Sequence, residues 1–392
     1  MTCNSFLTRT VSMLSFRRTA VPLAVVSLVT TLCLVLGCQP VSHPQNVPDV
    51  SVTELPSQEE LGRQLDDVLE YTYENRRLTL KNHAAWQILH GALAYKRNFL
   101  VDQPDGTRVS AVDHILAGGR VRGFDTEIGS LLGAETGEYG LRLLMAPGSK
   151  AGQGHPDQWL AVLAQSELPP DQTIRANGRD FTIADIVRQV QSDMPRNADR
   201  EYSWTLIGLT SYLPTDATWK ALDGQVWSIE GLVQSEAQHP LGEGACGGSH
   251  RLIGLAMALN RHLADGGKLE GPWKLAEQRI QQGIQKAREF QNPDGSLSTN
   301  YFTRPGRSPD LAQNLGTTGH TLEFLTLACT QEQLTQPWVE RAVLHLCDLF
   351  HKTKSIPLEC GALYHATHGL MLYRHRVYGE EFLPSSLAQS AE

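Results

Sequence analysis

Two kinds of hydrophobic pattern alternate along this chain. One is apolar nearly all round: after His250 come Leu252, Ile253, Leu255, Ala256, Met257, Ala258 and Leu259, which predicts a helix buried on most sides. Asn82–Tyr95, Asp157–Gln165, Trp204–Tyr212, a segment around His320 and Gly361–Arg376 read the same way. The other kind is longer, charged and apolar on one face only. Leu61, Leu65, Val68, Leu69 and Tyr73 mark such a face in a helix beginning near Glu59. Ile183–Met194, Trp219–Gln238, Pro272–Phe290 and Pro337–Lys352 follow suit, and strand patterning is nearly absent. Residues 101–153 are glycine-rich, and short helices are expected at Val112–Ala117 and Leu141–Met145, with loops over a cavity.

The all-apolar helices share an entrance: a small or polar residue, then His or Trp, one variable residue, and Leu. Ser203-Trp204-Thr205-Leu206, Ser249-His250-Arg251-Leu252, Gly319-His320-Thr321-Leu322 and Thr367-His368-Gly369-Leu370 match, with looser forms at His83 and Trp159. Fixed alternation of this kind is a repeat signature. It predicts an all-α fold of about six outer and inner helix pairs closed into an α/α toroid, with the apolar helices inside and the amphipathic ones around them. Inner helices of such a ring run parallel, so His83, Trp204, His250, His320 and His368 are expected around one mouth.

The N-terminus reads differently. Arg17-Arg18 precede an apolar run from Ala20, and the run ends at Val35-Leu36-Gly37-Cys38. This ending resembles the lipobox of bacterial lipoproteins, which implies cleavage before Cys38, a lipid on that cysteine and a place in the bacterial cell envelope. Residues 1–38 are thus the signal segment, the proline-rich residues 39–57 a disordered tether, 58–380 the toroid domain and 381–392 a frayed tail.

A second resemblance lies at Lys286-Ala-Arg-Glu-Phe290-Gln291-Asn-Pro-Asp294-Gly295-Ser-Leu297, which is similar to one repeat of the Gln-Trp motif of squalene–hopene cyclase-like toroids, a group whose fold the protein prenyltransferases share. Leu297 stands where that motif has Trp. The acidic Asp-x-Asp-Asp motif of the cyclases and the Asp-x-Cys zinc motif of the prenyltransferases are absent, so the resemblance implies fold and not terpenoid chemistry.

Composition narrows the function. The net charge is −8 even though the first 37 residues carry three arginines and no acid, and no basic stripe suits nucleic acid. Beyond the leader the cysteines are Cys246, Cys329, Cys347 and Cys360, too irregularly spaced for a disulfide scaffold. His250, His320, His368 and Glu243 are the candidate acid–base groups, because a neutral imidazole paired with a carboxylate can move protons near neutral pH. His83, Trp204, Glu359 and His365 are candidate substrate contacts. Cys246, His250 and Cys360 offer soft donors for zinc, with His320 and His365 in reserve. Against all of these stands a structural role, since histidines at equivalent helix entrances also serve as caps. Three functions follow: a lyase or hydrolase acting on a polysaccharide, a noncatalytic envelope protein binding a ligand or partner, and a zinc-dependent enzyme.

Overall fold

The Ser57 hydroxyl accepts from the backbone N–H of Glu60 and opens helix α1 (Gln58–Asn75), whose buried positions Leu61, Leu65, Val68, Leu69, Thr72 and Tyr73 recur every three or four residues. The computed structural model describes residues 55–133, 135, 137–197, 201–379 and 381–391. The leader, Cys38 and nearly all of the tether lie outside them.

After α1, buried and half-buried helices alternate. Buried α2 (Ala85–Tyr95) is followed by half-buried α3 (Ala111–Leu116), buried α4 (Gln158–Gln165) and half-buried α5 (Ile183–Asp193). Then come buried α6 (Ser203–Tyr212), half-buried α7 (Ile229–Gln238), buried α8 (Ser249–Ala264) and half-buried α9 (Gly271–Glu289). Buried α10 (Leu311–Ala328), the short α11 (Gln331–Leu334), half-buried α12 (Pro337–Lys352) and buried α13 (Cys360–Tyr378) complete the alternation, and α14 (Ser385–Ala391) lies in the tail expected to fray. The class is all-α. Each buried helix packs on the next: α2 on α4, α4 on α6, α6 on α8, α8 on α10, α10 on α13, and α13 again on α2. The half-buried helices lie against these, α1 and α12 also touching each other. No helix among the described residues is long and apolar enough to cross a membrane.

Glycine sets how closely two of these helices approach. A Cβ on Gly319 of α10 would stand 2.6 Å from Ala366 Cα of α13, and one on Gly369 of α13 would meet the Glu323 backbone nitrogen at 3.0 Å. The two backbones therefore cross nearly in contact. That crossing carries Glu323 up to two histidines of α13.

Four antiparallel hairpins were not legible in the hydrophobic pattern: β1 (Leu100–Asp102) with β2 (Arg108–Ser110), β3 (Thr126–Gly133) with β4 (Glu138–Leu143), β5 (Thr173–Ala176) with β6 (Arg179–Thr182), and β7 (Thr218–Lys220) with β8 (Val226–Ser228). The expected helix at Leu141–Met145 is in fact the end of β4 and its exit. The expected helix over Trp219–Gln238 is a hairpin followed by α7. Three hairpins form one repeated device. The last residue of β2, β6 and β8 is Ser110, Thr182 or Ser228, and its hydroxyl caps α3, α5 or α7 by accepting from the N–H three residues on. In each, an Asp-Gly or Asn-Gly turn lies just ahead, with Gly106, Gly178 and Gly224 all at positive φ.

Candidate functional site

The α10–α13 crossing produces the core of the site. Glu323, buried in an otherwise apolar stretch of α10, accepts from His365 Nδ1 on Oε2 and from His368 Nδ1 on Oε1, both at 2.7 Å. Burial opposes its ionisation, but the two imidazoles outweigh that and hold the carboxyl well below the usual carboxylate range. An ionised carboxylate only accepts, so both rings must carry hydrogen on Nδ1.

Other imidazoles gather around His365. His320 lies 3.9 Å away between ring centroids, His90 5.1 Å and His250 5.4 Å. His320 Nδ1 donates to the Gly316 carbonyl at 2.7 Å, so its Nε2 is the free nitrogen. His90 bonds the Trp86 carbonyl in the same manner. Burial first, then the proximity of His365, pushes His90 and His320 down to about 3. His250 is pushed well below the ordinary range by burial, then by His320, His365 and His155. These three rings are neutral at physiological pH.

His250 differs from its neighbours in one respect: it is 4 % exposed, and neither ring nitrogen has a hydrogen-bond partner among the described residues. It sits in the first turn of α8, beneath a loop with an unusual backbone. Cys246, Gly247 and Gly248 all have positive φ, at 49°, 63° and 91°. For a cysteine that conformation is rarely populated and costs on the order of 1 kcal/mol or more. Tyr301, itself at φ 52°, lays its ring so close to Gly247 that a Cβ there would meet it at 2.3 Å. The loop thus holds the Cys246 thiol toward His250 and His320; the three ligand atoms lie within 4.8 Å of one another. Burial, then Glu323, Glu201 and Glu359, pushes the free thiol up to about 12.

The site approaches solvent on one side. Cys246 is partly exposed, as are His155 and Glu201. His155 packs its ring 5.7 Å from that of His250, and its Nδ1 bonds Glu201 Oε2 at 3.1 Å. A cavity of about 330 Å³ is lined by Leu141, Leu160, Val190, Arg142, Asp157 and Asn197, and no residue of the cluster lines it. Asn197 donates to the Glu201 carbonyl, and Asp157 follows His155 by two residues. Burial raises the Asp157 carboxyl to about 6, against the hydrogen bond from Thr205 that lowers it.

Not every candidate is in this cluster. Trp204 is, with its ring 4.8 Å from that of His250 and its Nε1–H without a partner among the described residues. His83 instead lies in a turn, where its Nδ1 accepts from the Thr79 N–H at 2.9 Å. Glu243 is exposed at the end of a 3₁₀ turn. Glu359 caps α13 by accepting from the Ala362 N–H at 2.9 Å and pairs with Lys150. Cys360 accepts from Gln87 at 3.8 Å, and His320 takes its place beside Cys246 and His250. His320 and His368 also stand inside their helices rather than at the entrances, because Asp310 caps α10 well ahead of His320 and Glu359 caps α13 ahead of His368. His90, His155 and Glu323 complete the cluster without having been singled out in the sequence. An acid within Thr321–Ala328, otherwise free of charge, was the available signal, since a buried carboxylate needs partners and His365 and His368 are spaced to supply them.

No family model matches this chain, and neither the curated proteins nor the solved structures hold a match to it.

Proposed function

We propose that this chain is a lipid-anchored bacterial envelope enzyme, a hydrolase or lyase acting on a polysaccharide, with the histidine cluster of an α/α toroid as its acid–base centre. The observation that carries the reading is the Glu323 carboxylate, which fixes the orientation of two imidazoles through their Nδ1 hydrogens beside further buried rings. A base fixed in this way needs little reorganisation when a proton moves. His155, oriented by Glu201 on the solvent side, is the proton-transfer group closest to an arriving substrate. Half-buried Trp86 and Tyr301 offer flat faces suited to sugar rings. The cyclic succession of helix contacts supports the toroid reading. Cys38 carries the lipid, and Cys38→Ser is expected to shift the chain from the membrane fraction to the soluble one; retention at the membrane would reject the anchor.

The direct test incubates the full chain, in detergent, with a panel of bacterial and extracellular polysaccharides. New reducing ends report hydrolysis, and unsaturated uronate absorbance reports a lyase. The expected result is turnover with at least one polymer, reduced about 10²-fold or more in His155→Ala and Glu323→Gln while the melting transition is kept. Turnover untouched by either change would overturn the assignment. A second reading, a noncatalytic ligand-binding protein, is favoured by the burial of His250 and His320, which are only 4 % and 6 % exposed. Saturable binding of a polymer without product would select it.

A further inference from the structure

We infer that Cys246, His250 and His320 form a transition-metal site, with zinc as the matching ion and a fourth coordination position left open. Four observations converge on it. The three ligand atoms already lie within 4.8 Å of one another, although they come from a loop, the first turn of α8 and the middle of α10. His250 is buried with both ring nitrogens unpartnered among the described residues, which leaves a costly polar group facing a thiol and an imidazole. His320 is fixed by its Nδ1–H bond to Gly316, so that Nε2 is presented as a lone pair, the arrangement by which a backbone carbonyl orients a metal-bound histidine. Cys246 is held in a strained left-handed backbone conformation that brings the thiol to this point.

The donor set decides the class of ion. One thiolate and two imidazoles select zinc, cobalt or copper(I) over magnesium and calcium, which prefer oxygen. In a tetrahedral zinc site, metal–ligand lengths of about 2.3 Å to sulfur and 2.0 Å to nitrogen put neighbouring donors roughly 3.5 Å apart, a contraction of about 1 Å from the present limit. On binding, the S–H bond breaks, sulfur bonds the metal and the proton passes to solvent; no electron is transferred. Three protein ligands leave one position for water or substrate, as in catalytic rather than structural zinc sites. The site stands apart from the proposed reaction: the metal can bind whether or not the pocket turns over a polysaccharide.

The test is a titration of chelator-stripped full chain in detergent with Co²⁺ alone. One equivalent is expected to bind, with the visible bands of a tetrahedral ion and a near-ultraviolet sulfur-to-metal band, and Zn²⁺ is expected to displace it. Cys246→Ser should remove the sulfur band, and His250→Ala should weaken binding about 100-fold or more, with melting curves confirming a folded chain. Cys360→Ser, altering a buried thiol outside the set, should change neither. Should the variants not fold, the wild-type chain decides: one equivalent of Co²⁺ must give the sulfur-to-metal band, and one equivalent of Zn²⁺ must abolish it. Substoichiometric cobalt, a sulfur band that survives Cys246→Ser, or stoichiometric cobalt without a sulfur band would overturn the site. Stoichiometric metal with no turnover would leave it standing and reject only the enzyme reading.

Discussion

The metal-free protein is expected to lose much of its stability between pH 6.5 and pH 5, above the range in which carboxylates usually drive acid unfolding. His90 and His320 have folded values of about 3, against about 6.5 in an unfolded chain, and burial depresses His250 in the same direction. All three are depressed, so the stability they contribute is complete above pH 6.5 and is lost as the pH falls from 6.5 toward 3. At pH 5 each of the first two imidazoles has gained about 2 kcal/mol in the unfolded chain from protonation that the native ring has not, or about 4 kcal/mol for both, and His250 acts in the same sense. Asp157 works in the opposite sense. Its folded value is raised to about 6, so the native state regains about 1–2 kcal/mol as the pH falls from 6 to 4. The net loss from His90, His320 and Asp157, about 2–3 kcal/mol at pH 5, is a sizeable part of an ordinary domain's stability. Urea midpoints measured from pH 8 to pH 4 in the presence of chelator should be flat above pH 7 and fall steeply below 6.5. His90→Gln, which lies outside the proposed ligand set, should lower the slope by about one proton. A profile flat down to pH 4.5 would show that the rings are hydrated in solution and the cluster is loosely packed.

Why some of this was legible in the sequence and some was not has a physical cause in each case. The alternation of all-apolar and one-faced segments set out the helices well: α12 runs over the residues expected, Pro337–Lys352, and α4 starts one residue late. Long periodic segments carry many independent votes for a period. The hairpins carry few, because most of their strands have only three or four residues. Their true signal was a turn and a cap, with Asp-Gly or Asn-Gly followed four residues after the glycine by Ser or Thr, at Gly106, Gly178 and Gly224. The repeated helix entrance led to His250 and Trp204, and the four-residue spacing before His250 led to Cys246; the fold does place the three together. The entrance also led to His83, whose ring is used locally in a turn. His90 and Glu323 sit one or more turns inside apolar helices, where periodicity records only burial and says nothing about which polar group the core has admitted.

The position of His250 depends on a second buried charge pair, and its removal is expected to be among the most destabilising single changes in the chain. Glu236 of α7 is 0 % exposed and accepts from the Tyr202 N–H at 3.0 Å, the Ser203 hydroxyl at 2.9 Å and Arg251 Nε at 3.2 Å. Arg251 is itself buried and donates through Nη1 to the Pro240 carbonyl at 2.7 Å. This pair therefore ties α7, the first turn of α6, the start of α8 and the beginning of the 241–248 loop to one another. Glu236→Ala would leave the Arg251 guanidinium buried without its counter-ion, a loss of about 3–5 kcal/mol. Glu236→Gln keeps the shape and acceptor but not the charge, and should cost less. The informative variant is Glu236→Leu with Arg251→Met, which removes both charges and should recover much of the loss, because the attraction of a buried pair roughly offsets its desolvation. Urea unfolding gives the three stabilities, and cobalt affinity reports whether His250 has moved. If the double variant is as stable as the wild type yet binds Co²⁺ more weakly, the ion pair serves to aim the first turn of α8 at the site rather than to hold the fold. If Glu236→Ala costs under 1 kcal/mol, Arg251 has found water or another acceptor, and contacts other than this pair fasten the loop.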